Sequence, residues 1–154
     1  MDLSSILTPT AVKVAGKTSS KKRLFQDLGE IAAANFGQNL DEVVDALLER
    51  EGLGPTGVGH GVALPHARVR NLDRVVGAFV KLDKPLDFDS VDRQPVDLVF
   101  ALFAPLDAGV EHLKALALVS RTMRNPSICE KLRANTDPAA LHAILTETPA
   151  SKAA

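Results

Sequence analysis

The hydrophobic positions of the chain change period several times, and each change marks an element. Leu24, Phe25, Leu28, Ile31, Ala32 and Phe36 recur at helical spacing, which predicts an amphipathic helix with one buried face. Ser19 or Ser20 can cap its start, and Gly37 can end it in the left-handed conformation. A second stripe, Val43, Val44, Leu47 and Leu48, opens on the capping-box pattern Asn39-Leu-Asp-Glu42 and runs to about Gly52. Val62-Ala63-Leu64 is a short apolar run closed by Pro65, which predicts a short buried strand. Val75 to Leu82 reads as a further strand, and Lys84-Pro-Leu-Asp87 with Asp89 to Pro95 as a loop or hairpin connection. Val96 to Pro105 is almost continuously apolar, the pattern of a strand covered on both faces.

Three helices are predicted after it, over Gly109 to Arg124, Ser127 to Asn135 and Asp137 to Thr146. Val110, Leu113, Leu116, Ala117 and Met123 are the expected core positions of the first. At the other end, Leu3, Ile6 and Leu7 can staple a lead-in to the body, and Ala11 to Val14 can add an edge strand. The whole reads as a single α/β domain over residues 1–148, a mixed sheet flanked by helices on both faces, with a frayed tail at 149–154.

Composition narrows the function classes. A chain of 154 residues, 45% hydrophobic and 24% charged, is an ordinary globular domain with room for a sizeable core. A net charge of −1 gives no bulk attraction to nucleic acid or to an anionic membrane. The single Cys129 excludes an intramolecular disulfide and suits a reducing compartment. No leader pattern opens the chain and no apolar run approaches a membrane span, so a cytoplasmic protein without direct membrane insertion is expected.

The candidate chemistry lies in Gly54 to Arg68. Gly57, Gly59 and Gly61 free the backbone to turn or to approach a ligand closely, and Pro65 stiffens the mount of His66. Gly57-Val-Gly-His-Gly-Val-Ala-Leu-Pro-His66 resembles the phosphorylation-site signature of the mannitol/fructose-type IIA components of the bacterial phosphoenolpyruvate-dependent phosphotransferase system, and the nitrogen-related branch most of all. The likeness extends from Leu3 to Thr148 through Ser19-Ser-Lys-Lys-Arg23, Arg50 to Gly57, Asp92 to Ala101 and His112-Leu-Lys-Ala-Leu116. It implies the mannitol-type IIA fold and a regulatory phosphocarrier. His66 would accept a phosphoryl group on Nε2, Arg50 would stabilise its charge, and His112 would donate a hydrogen bond to it. The implied donor is an HPr-like phosphohistidine protein. The implied acceptors are regulatory target proteins or, in a sugar-specific alternative, a IIB domain. No cofactor and no metal are implied.

The residues also carry plainer readings. Imidazole with a pKa near 6.5 is a neutral nucleophile at cellular pH, but a histidine after a proline can be structural. Arg50 can simply favour a helix C-terminus, and the Lys21-Lys22-Arg23 cluster can be a solvated face or a contact for an acidic partner. His60 departs from the asparagine expected in the glycine loop and could add a hydrogen bond or perturb the site. Lys114 stands where some relatives have histidine, and His142 reads as structural. A metal site from His60, His66 and His112 lacks ligand spacing. The glycine run precedes a strand rather than opening a helix, so it is no dinucleotide fingerprint. There is no nucleophile elbow or triad for a hydrolase.

Overall fold

The computed structural model describes residues 1–147; the tail expected at 149–154 lies outside the described residues. Among those described, no helix is long and apolar enough to cross a membrane. Six strands of the described residues form one mixed sheet: β1 (Val12–Ala15), β2 (Gly57–Gly59), β3 (Val62–Ala63), β4 (His66–Val69), β5 (Val76–Leu86) and β6 (Val96–Pro105). The path runs β1-β5-β6-β3-β2, with β4 also paired to β6. β1 is parallel to β5, β5 is antiparallel to β6, and β3 and β4 are both parallel to β6. Nearly every residue of β6 and the first seven of β5 are buried, although successive side chains point to opposite faces. Helices therefore cover the sheet on both sides.

Those helices are α1 (Lys21–Phe36), α2 (Leu40–Gly52), α3 (Val110–Met123), α4 (Pro126–Arg133) and α5 (Pro138–Thr146). The predicted caps operate. Ser20 Oγ accepts the Arg23 N–H, Asn39 Oδ1 accepts the Glu42 N–H, and Gly37 turns with φ of 65°. Leu3, Ile6 and Leu7 are buried, and His142 of α5 reaches back to the Leu7 carbonyl at 2.9 Å through Nε2. His142 is thus a structural tie.

Four expectations change. β5 continues through Lys84-Pro85-Leu86 instead of turning there. The ladder to β6 is irregular between Lys81 and Leu86, so the missing N–H of Pro85 falls where regular pairing lapses. The helix predicted at Ser127 to Asn135 starts at Pro126 and ends at Arg133, because Asn125 caps it by accepting the Ser127 and Ile128 N–H groups. The carbonyls at and just beyond its end are met by the buried Lys81, whose Nζ donates to Arg133 O at 2.8 Å and Asn135 O at 2.5 Å. The Lys21-Lys22-Arg23 cluster is not simply solvated. Lys21 Nζ lies 2.9 Å from Glu51 Oε2 and Arg23 Nε lies 3.7 Å from Asp27 Oδ1, while Lys22 and Arg23 both remain exposed.

The fourth change concerns α3. Its core face is His112, Ala115, Val119 and Met123, whereas Val110, Leu113 and Ala117 are exposed and Leu116 is half-buried. The helix is apolar on more than one side, so periodicity alone could not choose the buried stripe.

At the centre of the sheet, Gly77 leaves space that its neighbours have taken. A Cβ there would lie 2.8 Å from a Phe100 ring carbon and 3.0 Å from Ile6. Gly77→Ala is expected to destabilise the protein by about 1–3 kcal/mol through overpacking, read from urea unfolding midpoints. An unchanged midpoint would show that this contact relaxes freely.

Candidate active site

The local chain explains the place of His66. Ala63 pairs with Val99 and His66 with Leu102, so β3 and β4 keep one register against β6. They are a single strand interrupted at Leu64-Pro65, where proline has no N–H to give. The strand resumes at His66 rather than ending before it, which corrects the expectation of a strand terminus. The Pro65 carbonyl accepts the Leu102 N–H at 3.0 Å, and the Thr56 carbonyl accepts the Leu64 N–H at 3.0 Å. The backbone on both sides of the step is therefore held.

His66 Nδ1 lies 2.9 Å from the Leu64 carbonyl oxygen. A carbonyl only accepts, so Nδ1 carries the proton and Nε2 carries the lone pair. Arg50 Nε donates to that Nε2 at 3.3 Å, while Arg50 Nη1 donates to Gly54 O at 2.8 Å. The guanidinium is thereby anchored at one end and faces the imidazole with the other. His112, in the first turn of α3, places its ring centroid 5.6 Å from that of His66, edge to face at 74°. His112 is buried, and its Nδ1 has no hydrogen-bond partner among the described residues. An orphan of that kind costs about 1–3 kcal/mol.

Both rings stay neutral at cellular pH. Burial pushes the His66 pKa below its ordinary 6.5; the Leu64 hydrogen bond opposes this, the Arg50 charge reinforces it, and Glu51 opposes it. Burial likewise lowers His112, with the nearby His66 and Arg68 acting in the same direction. Arg68 stands two residues beyond His66 and so on the same face of β4. Its Nη1 reaches the carbonyls of Leu106 and Ala108, in the loop that leads into α3. The α3 N-cap, Gly109, supplies no side-chain cap, leaving amide donors at that end.

These groups line an open crevice of about 590 Å³ with Glu49, Leu53, Leu106, Leu113 and Leu116. Leu53, Leu106 and Leu113 are each more than half exposed. The apolar rim was not singled out from the sequence, whereas Arg68 and Lys114 were the alternative sources of positive charge beside Arg50; of these two Arg68, two residues from His66, lines the crevice. Lys114 is exposed and does not line the crevice.

The glycines serve a different purpose from the cleared approach expected of them. None lines the crevice. A Cβ at Gly57 would sit 2.2 Å from Ser90 Oγ, and one at Gly61 2.5 Å from Arg133 Nη2. They let the β2–β3 hairpin pack closely against the Asp87–Pro95 loop and α4. His60 and Gly61 form its two-residue turn with φ of 57° and 78°. Histidine, like asparagine, tolerates that left-handed position, which accounts for His60 there. Its N–H donates to Asp92 Oδ2 at 2.9 Å and its carbonyl accepts from Arg133. It is absent from the His66 crevice, lines a separate one beside Met123 and Cys129, and is not among the groups that shift the His66 pKa.

Chemically, the arrangement offers a neutral, lone-pair-bearing imidazole nitrogen beside two arginines, a second imidazole and a helix N-terminus. That suits reversible attachment of an anionic group. The chain is 46% identical to a nitrogen regulatory protein of Bradyrhizobium diazoefficiens over 99% of this chain and 100% of the relative. It is 33% identical to a fructose-specific EIIA component of Haloferax volcanii over 85% of this chain and 86% of the relative. The crystal structure of nitrogen regulatory protein IIA-Ntr from Neisseria meningitidis superposes with a TM-score of 0.84 at 36% identity, covering 92% of this chain and 97% of that one. Residues 5–148 match the family model for EIIA 2 of the phosphoenolpyruvate-dependent sugar phosphotransferase system, and the chain belongs to that family of phosphotransfer components.

Proposed function

We propose that this protein is a regulatory phosphocarrier whose His66 accepts a phosphoryl group from an HPr-like phosphohistidine protein. The observation that carries the reading is the fixed tautomer: Leu64 holds Nδ1–H, so the lone pair of Nε2 is turned toward Arg50. Nε2 attacks phosphorus as the donor's N–P bond breaks, and the donor nitrogen leaves with the bonding pair. The His66 Nδ1–H stays on the Leu64 carbonyl, so the phosphoryl group moves without a proton when the donor ring keeps a proton on its other nitrogen. Arg50 and Arg68 supply the positive charge that the arriving anion needs in a half-dry crevice. His112 brings a second hydrogen-bonding ring. The exposed Leu53, Leu106 and Leu113 give a protein donor an apolar landing around the nucleophile, and the acidic outward face of α2, with Asp41, Glu42, Asp45 and Glu49, complements a basic carrier.

The phosphorylation state then decides which cytoplasmic partners dock on that rim. The similarity to nitrogen regulatory proteins over nearly the full chain favours this regulatory role. Similarity to a fructose-specific component supports the second reading, in which the group passes to a IIB domain. Offering the phosphorylated protein a purified IIB domain separates them, since rapid loss of label to IIB belongs only to the second.

His66→Ala is expected to abolish acid-labile phosphorylation with an unchanged circular dichroism spectrum, read by intact mass after incubation with phosphoenolpyruvate, the general phosphotransferase enzyme and the carrier. Full labelling of that variant would remove His66 as acceptor. His112→Ala should slow labelling without ending it.

Arg50→Lys keeps the charge and loses the planar fork. Single-turnover transfer should therefore fall for Arg50→Lys, and fall by ~10²-fold or more for Arg50→Ala. Wild-type rates in both would leave Arg50 as a helix-end residue only.

Because burial holds the His66 pKa below 6.5, the neutral ring predominates at pH 7. The acceptance rate should decline on acidification as the Nε2 lone pair is lost, with the midpoint of that decline below pH 6.5. A rate that rises on acidification would contradict a neutral nucleophile.

A further inference from the structure

We propose that Glu51 is a positioning residue of this site, closing the Leu53–Thr56 turn so that both Arg50 and His66 are held in line. The inference rests on the reading of His66 as phosphoryl acceptor. The Glu51 side chain is only 7% exposed, and both of its oxygens are engaged. Oε2 accepts the Thr56 N–H at 3.0 Å and Lys21 Nζ at 2.9 Å, while Oε1 accepts Thr56 Oγ1–H at 2.6 Å. A carboxylate so enclosed persists only when paired. Lys21 is the pair, and its ammonium also lies 4.8 Å from the Phe88 ring centre.

Thr56 connects this carboxylate to the site in two directions. Toward Arg50, Gly54 lies two residues before Thr56 in the same turn, and its carbonyl is the anchor of Arg50 Nη1. Pro55 between them restricts the backbone. Toward His66, the Thr56 carbonyl accepts the Leu64 N–H, and the Leu64 carbonyl holds His66 Nδ1. One buried carboxylate therefore governs the donor facing Nε2 and the acceptor fixing Nδ1. Lys21 neutralises it, so that no uncompensated negative charge stands behind an incoming phosphoryl dianion. This also gives a reason for a lysine at the first position of α1, where the helix dipole alone would favour an acid.

The test uses the full-length protein. Glu51→Gln keeps the size but presents an amide to partners that are all donors, and Thr56→Val removes the hydroxyl while leaving the backbone bond. Single-turnover acceptance per folded molecule, measured well below the melting temperature of each variant, should fall ~10- to 100-fold for Glu51→Gln and less for Thr56→Val. In an Arg50→Ala background the Glu51→Gln loss should be several-fold smaller than in the wild-type background, because part of it acts through Arg50. Unchanged acceptance by Glu51→Gln, or losses that multiply fully with Arg50→Ala, would overturn the proposal. Nitrogen NMR of the His66 ring gives a readout independent of transfer. The Nδ1–H of Glu51→Gln should exchange faster with water than that of wild type. If wild type accepts no phosphoryl group at all, the acceptor reading fails by itself, and an unchanged His66 ring signal in Glu51→Gln would still overturn the positioning role.

Discussion

Strand β6 imposes the constraint from which the site follows. It is buried on both faces, so its N–H and C=O groups must be paired within the sheet along both edges. β5 occupies one edge in antiparallel register, and β3 with β4 share the other in parallel register. The chain on that second edge contains one residue that cannot donate, Pro65. The ladder spans the defect without slipping. Leu64, outside either strand, offers its carbonyl to the imidazole two residues on. A stiff histidine with a fixed tautomer is thus a by-product of satisfying the backbone of a buried strand across a proline.

The electrostatics of the crevice follow from the same burial. Taking two imidazoles out of water disfavours their charged forms, whereas guanidinium stays charged under any such environment. The result is a positive crevice with an imidazole lone pair at its centre. A more exposed histidine beside the same arginines would share its lone pair with solvent protons more often, and a lysine nucleophile would be charged. Glu51 lies close enough to favour protonation of His66, and its pairing with Lys21 limits the net negative charge near the ring.

Access to His66 Nε2 depends on how α3 is turned. Facing His112, Ala115 and Val119 to the core brings one ring against His66 and leaves Leu113 outward beside Leu53 and Leu106. Arg68 stabilises that setting by holding carbonyls of the β6–α3 loop. The His66–His112 pair and the apolar rim are therefore two faces of one helix orientation.

The sequence by itself determined the elements with strong local signals. The α1 and α2 stripes, their caps at Ser20 and Asn39, the stop at Gly37 and the buried strand β6 all follow from short-range periodicity and capping chemistry. The glycine run, Pro65 and His66 pointed to the segment that carries the candidate site, and the likeness of that segment to a known family named the family. Only the tertiary structure decided the rest. That β3 and β4 are one strand depends on register against β6, a partner more than thirty residues away. That Gly57 and Gly61 face the Asp87–Pro95 loop and Arg133, that α3 buries its histidine stripe, and that Lys21 reaches Glu51 are all contacts between distant segments. Periodicity records what a residue prefers on its own element; which neighbour satisfies it is set by how the elements meet.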